Sequence, residues 1–245
     1  MPGFTWFAVA LIVTVAAALQ ALTGFGFALV SLPFMLFLYA PHEAVGLNII
    51  LSLLSQTLLT MHVRSVIIGP LVRNLFLGSL VGMPLGFYVY ARSDVNLLKL
   101  LISAVVLLFS ILNLVGRVPP RAGGRSFEIG IGSLSGFLGS SVGMPGPPVV
   151  LYLFHQGLPK EGFRATASGF FTTVYFLSLL LFLLSGALDI GMGEKALSLV
   201  PFLFAGQIVG YRLFPCIPQA QFKKGVLLLV MATSLYSFLT TLFQV

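Results

Sequence analysis

The stretch GFGFALVSLP, Gly24 to Pro33, has a counterpart in GSSVGMPGPP, Gly139 to Pro148. Both copies interrupt apolar runs with glycine and proline. A helix broken at membrane depth exposes backbone groups that lipid cannot satisfy, so the break must be buried in protein or line a cavity. Breaks at matching places in two chain halves are the best sequence pointer to a transporter's binding site. Gly24 and Gly139, like Pro33 and Pro148, are 115 residues apart. Pro41-His42-Glu43 returns as Pro159-Lys160-Glu161 at a spacing of 118, and Gly78 and Gly82 return as Gly206 and Gly210 at 128. Self-similarity of this kind is a fold-level signal.

Composition sets the solvent. The chain is 58% hydrophobic and 8% charged, with a mean hydropathy of +1.07. A soluble domain carries roughly 25% charged residues, so this is an integral membrane protein. Its apolar stretches are continuous and do not alternate, which excludes a barrel and makes it all-α. The net charge of +7 does not argue for nucleic acid, because the basic residues lie between apolar segments where topology explains them. One cysteine, Cys216, excludes an internal disulfide and a cysteine metal cluster. The apolar start, Trp6 to Leu19, has no preceding Lys or Arg and reads as a retained first segment rather than a signal.

Ten apolar segments can be drawn, at 4–22, 27–40, 44–63, 74–91, 97–115, 127–143, 146–157, 163–185, 196–214 and 222–243. The second and seventh are short for a span of ~20 residues. The polar stretch 116–126 divides the chain into a first membrane repeat, 1–115, and a second, 127–245. If each broken motif is a hairpin, one side holds Arg64, Arg73, Arg117, Arg121, Arg125, Lys160, Arg164, Arg212, Lys223 and Lys224, ten against Arg92, Lys99 and Lys195. Fusing each motif into one kinked span gives six against seven. The positive-inside rule selects the hairpins. The linker is then cytoplasmic, both termini are extracytoplasmic, and two repeats of five segments are inverted in the membrane. Whether each hairpin spans fully or only re-enters stays open.

These motifs resemble the TauE/SafE family of membrane anion exporters, also called TSUP. The residues that carry the likeness are the two Gly/Pro motifs, Pro41-His42-Glu43-Ala44, Pro159-Lys160-Glu161-Gly162, and the Gly78/Gly82/Gly86 and Gly206/Gly210 runs. The likeness covers about Ala17 to Phe243. Members typically show a GxGGG-like run before the proline, where this chain has Phe25 and Phe27, and Ser140, Ser141 and Val142. The resemblance implies a multi-pass protein of a bacterial-type cytoplasmic (inner) membrane. It would move sulfite, an organosulfonate or a small organic acid, and association into a homo-oligomer is left open.

The site expectation centres on the two tips meeting near the midplane. A glycine-rich break followed by a helix start offers free N–H groups and a positive dipole end, a ready anion site. The expected binding set is Gly24, Phe25, Gly26, Ser31 and Pro33 with Asn48 from the first half, and Gly139, Ser140, Ser141, Gly143, Pro145 and Pro148 with Thr166 from the second. The competing reading gives the glycines to helix packing alone. Glu43 and Glu161 read as caps of the helices they start. None of the six acids, Glu43, Asp94, Glu128, Glu161, Asp189 and Glu194, sits mid-segment, which argues against carboxylate proton coupling. No hydrolase elbow, HExxH or phosphate loop occurs, so no catalytic residue, metal or cofactor is expected. The expected function is a secondary carrier working by alternating access, with one repeat rocking against the other. An anion channel of the same fold, or a membrane subunit of a larger complex, remains as an alternative. Export needs no coupling ion, since a monovalent anion leaving a cell at about −100 mV gains roughly 2.3 kcal/mol.

Overall fold

A computed structural model describes residues 3–98, 100–102, 104, 105, 108, 124–218, 221 and 228. Most of the fifth and tenth segments, most of the linker, and Lys99, Arg117, Arg121, Lys223 and Lys224 lie outside the described residues. Among the described residues there are helices and no strands, as the composition requires. In the first half these are α1 (Gly3–Thr23), α2 (Phe27–Met35), α3 (Pro41–Val63) and α4 (Gly69–Arg92). In the second they are α5 (Arg125–Ser141), α6 (Gly146–His155), α7 (Lys160–Leu184) and α8 (Ile190–Leu213). Among the described residues five helices are long and apolar enough to cross a membrane, those built on α1, α3, α4, α7 and α8.

The short segments are shorter than the apolar runs suggested. The run at 27–40 yields only nine helical residues before a turn, and the run at 146–157 yields ten. At 1.5 Å per residue neither reaches across a ~30 Å hydrocarbon core. Each is the returning limb of a helical hairpin whose tip is buried in protein.

Close contacts fix the directions of the helices. Thr14 and Ala18 of α1 meet Gly206 and Gly210 of α8, so these two run parallel. Ile129, Ser133 and Phe137 of α5 meet Gly78, Gly82 and Gly86 of α4, a second parallel pair. Thr60, near the end of α3, bonds Ser168 and Thr172, near the start of α7, at 2.7 and 2.8 Å, so α3 and α7 are antiparallel. The first helix of each half therefore packs on the fourth helix of the other, and the two third helices pack on each other. The ends of α3 and α8 and the starts of α4, α5 and α7 share one side, here called the linker side. The starts of α1, α3 and α8 share the far side.

Glycine makes the parallel seams because lipid supplies no hydrophobic force between helices, and association depends on close van der Waals approach. A Cβ on Gly82 would lie 1.8 Å from the Ser133 carbonyl oxygen, and one on Gly78 would lie 2.0 Å from that of Ile129. At the α1–α8 seam a Cβ on Gly206 would lie 2.2 Å from the Thr14 oxygen. Only the missing side chain lets the backbones meet.

Glu43 and Glu161 sit in the first turns of α3 and α7, but no side chain caps either helix. Glu43 instead pairs with Lys195 of α8 on the far side. Lys195 is about one-third exposed, so the pair is partly solvated. Lys195→Ala should cost under ~1 kcal/mol. A detergent melting point lowered by more than a few degrees would contradict that.

Candidate functional site

The break after α1 is set by two left-handed glycines. Gly24 has φ +85° and Gly26 has φ +99°, a region only glycine enters at little cost. Gly26 stands at the N-cap of α2 with no side-chain cap, and the first in-helix bond runs from Val30 N–H to the Gly26 carbonyl. The N–H groups of Phe27, Ala28 and Leu29 are therefore the unbonded first-turn donors every helix start leaves. The second break turns at Gly143, φ +70°, and α6 then opens on Gly146, Pro147 and Pro148. Two of those three lack an N–H. The donors are thus concentrated on the first tip, whereas the sequence reading treated the tips alike.

A small cavity lies between the two tips, lined by Gln20, Phe25 to Leu29, Gln56, Met144, Gly146, Phe171 and Tyr175. Its volume is about 10 Å³, room for roughly one water. Gln20, on the last turn of α1, is fully buried, and neither its Nε2 nor its Oε1 has a partner among the described residues. Gln56 of α3 donates from Nε2 to the Gly24 carbonyl at 3.1 Å, and its Oε1 is unpartnered. A buried amide without a partner costs about 1–3 kcal/mol. Among the described residues no ionised side chain lines the cavity.

The other expected site residues fall into three groups. Phe25 and Gly26 line the cavity. Gly24, Ser31, Asn48 and Gly143 hold the tips in place. Asn48 donates to the Gly143 carbonyl at 3.0 Å and accepts from Ser31 at 2.9 Å, so one amide from the first half braces the second tip. Pro33 is buried inside α2, and the Pro145 carbonyl accepts from Ser135. Pro148 is buried in the first turn of α6. The remaining four point elsewhere. Gly139 packs inside α5, where a Cβ would lie 2.8 Å from Val174 and 3.2 Å from Pro145. Ser140 donates to the Met83 carbonyl at 2.8 Å and Ser141 to that of Phe137 at 2.7 Å, so both hydroxyl protons are committed. Thr166 accepts from the Ile68 N–H at 3.2 Å, at the turn between α3 and α4 on the linker side.

Gln20 and Tyr175 were absent from the expected set. Gln20 is the only polar side chain between Thr14 and Thr23, an amide in an otherwise apolar segment, and that was the available signal. Tyr175 donates to the Gly143 carbonyl at 3.4 Å, and nothing in the sequence distinguishes it from an interfacial tyrosine.

The fold and these tips define a multi-pass helical membrane protein with two broken hairpins buried at its centre. The chain belongs to the TauE/SafE family: the family described as "Sulfite exporter TauE/SafE" matches residues 9–237. That membership makes it an exporter-type transporter of the sulfite and organosulfonate kind. No curated protein and no solved structure matches the chain.

Proposed function

We propose that the chain carries a small monovalent oxyanion, hydrogensulfite, a sulfonate or a short carboxylate, across the cytoplasmic membrane through the cavity between the tips. The observation that carries this reading is Gln20, a fully buried amide with no partner among the described residues, beside the uncapped start of α2. An N–H cluster at a helix start and an amide donor form a site for negative charge. The absence of a lining cation favours one negative charge over two, since each buried charge needs its own compensation. Room for about one water means the described state is closed, and an anion enters only when the tips separate.

The orientation follows from charge. Among the described residues Arg64, Arg73, Arg125, Lys160, Arg164 and Arg212 lie on the linker side, against Arg92 and Lys195 on the far side. The linker side is then cytoplasmic. The inverted-repeat reading draws support from the exchange of first and fourth helices between the halves.

The test is counterflow of radiolabelled sulfite in proteoliposomes, with Gln20→Leu beside the native chain. Counterflow separates a carrier from a channel. Replacing an unpaired buried amide by an apolar group of similar size should leave melting unchanged or raised. Transport in Gln20→Leu should fall at least about tenfold, the loss of one hydrogen bond to a charged group. Native-like counterflow in this variant would sink the cavity assignment.

A further inference from the structure

We infer that Arg164 and Tyr211 form a second oxyanion site on the linker side of the first tip, taking a sulfite, sulfonate or carboxylate head. Arg164 lies in the second turn of α7. The structure buries it to 4% exposure. Its Nε and Nη2 have no hydrogen-bond partner among the described residues, and neither does the buried Tyr211 hydroxyl. The guanidinium lies 5.6 Å from the Tyr211 ring centroid and 4.0 Å from that of Phe214. Three unsatisfied donors therefore meet where α7 faces the end of α8.

Among the described residues no carboxylate forms an ion pair with that guanidinium, and Glu161 acts on it only from a distance. The ion pairs among the described residues are Lys160–Glu161 and Glu43–Lys195, and Arg164 belongs to neither. Glu161, three residues away, is half exposed and lies 3.9 Å from Lys160. A buried ionised group without an ion-pair partner is expensive, and in a transporter it points to the ion's path. The two unpartnered nitrogens form one edge of the guanidinium, and their N–H bonds are parallel. That fork matches two oxygens of one carboxylate, sulfite or sulfonate head. Phe214 holds the face of the cation and leaves this edge to a ligand. The Tyr211 hydroxyl supplies a third donor.

Position gives the site its role. A Cβ on Gly24 would lie 2.7 Å from the Arg164 carbonyl oxygen and 2.9 Å from its Cα, so Arg164 is seated against the first tip. The tip cavity has no cation with which to reject neutral solutes. Arg164 supplies that selection one step earlier, and the anion then passes to the uncharged donors at the tip. The inference rests on the anionic substrate proposed above, but not on the tip cavity being where it binds.

The test is equilibrium binding of radiolabelled sulfite to purified protein, displaced by methanesulfonate or acetate. It uses the native chain, Arg164→Gln, Arg164→Lys and Tyr211→Phe, each also made in a Gln20→Leu background. Gln20→Leu should retain sulfite binding that the added Arg164→Gln removes. Arg164→Gln should lose at least about tenfold in affinity, and Tyr211→Phe about tenfold, as expected for hydrogen bonds to a charged ligand. Arg164→Lys keeps the charge but not the fork, and should not restore affinity. Sensitivity to Arg164 with none to Gln20 would sustain this site and reject the tip cavity. Affinity within about twofold of native for Arg164→Gln in both backgrounds, or full rescue by lysine, would overturn it. If Arg164→Gln fails to fold, Tyr211→Phe decides: unchanged affinity there also overturns the site.

Discussion

Gly24→Ala should abolish transport while a matched glycine change leaves it intact. Two costs fall on position 24. The left-handed backbone, φ +85°, penalises any Cβ by roughly 1–2 kcal/mol. The new methyl would also strike backbone, 2.7 Å from the Arg164 carbonyl oxygen and 2.9 Å from its Cα. A helix backbone cannot rotate aside as a side chain can, so α7 and the tip must move apart. The Gln56 bond to the Gly24 carbonyl and the seat of Arg164 would shift together. Gly186 has φ +70° and open space around its missing Cβ, so Gly186→Ala carries the strain alone. We expect sulfite counterflow to fall more than about tenfold in Gly24→Ala, because ångström-scale misplacement of binding groups is that costly. Gly186→Ala should transport normally and melt only slightly lower. Equal behaviour of the two variants would mean that the contact with α7 is unimportant.

The second large effect belongs to packing. Gly82→Val should prevent the protein from being recovered folded. Even the Cβ would sit 1.8 Å from the Ser133 oxygen and 2.9 Å from the Phe137 nitrogen. Overpacking a core typically costs 1–3 kcal/mol, and here no rotamer change relieves it. Opening the α4–α5 seam would also displace Ser140, whose hydroxyl bonds the Met83 carbonyl across it. Gly130, on the same helix α5, has nothing within 4 Å of its missing Cβ. Gly130→Ala should therefore be neutral or raise stability by about 0.5–1 kcal/mol, the helix preference for alanine. Size-exclusion profiles and melting in detergent check both. A monodisperse Gly82→Val with a native melting point would show that the seam is looser than described.

Much of this architecture was legible in the residues. Gly24 and Gly26 announced a turn because continuous apolar sequence has few other reasons for paired glycines. Gly78, Gly82 and Gly86, four apart, announced a close helix contact, and the structure places that contact on α5. What could not be read was which half each element would touch. Asn48 sits in the first half and braces Gly143 in the second, and no local pattern encodes that pairing. Ser140 and Ser141 looked like donors beside a tip because sequence gives proximity along the chain. The helix turns their hydroxyls onto carbonyls of α4 and α5 instead. Arg164 is a related case. Its place near a segment end suggests a side chain reaching for water, but Phe214 and Tyr211 close over it.

The glycine–carbonyl seams bear on how such a molecule can move. Thr14 and Ala18 are locked against Gly206 and Gly210, and Gly78, Gly82 and Gly86 are locked against the carbonyls of α5. Backbones in such contact interlock like gear teeth and resist sliding. Each seam joins one half of the sequence to the other. One plank is α1 with α8, and it carries the first tip. The other is α4 with α5, and it carries the second. Between them the antiparallel α3 and α7 meet through the hydroxyls of Thr60, Ser168 and Thr172, which can exchange partners at little cost. The close seams thus run across the two halves of the sequence rather than within either one.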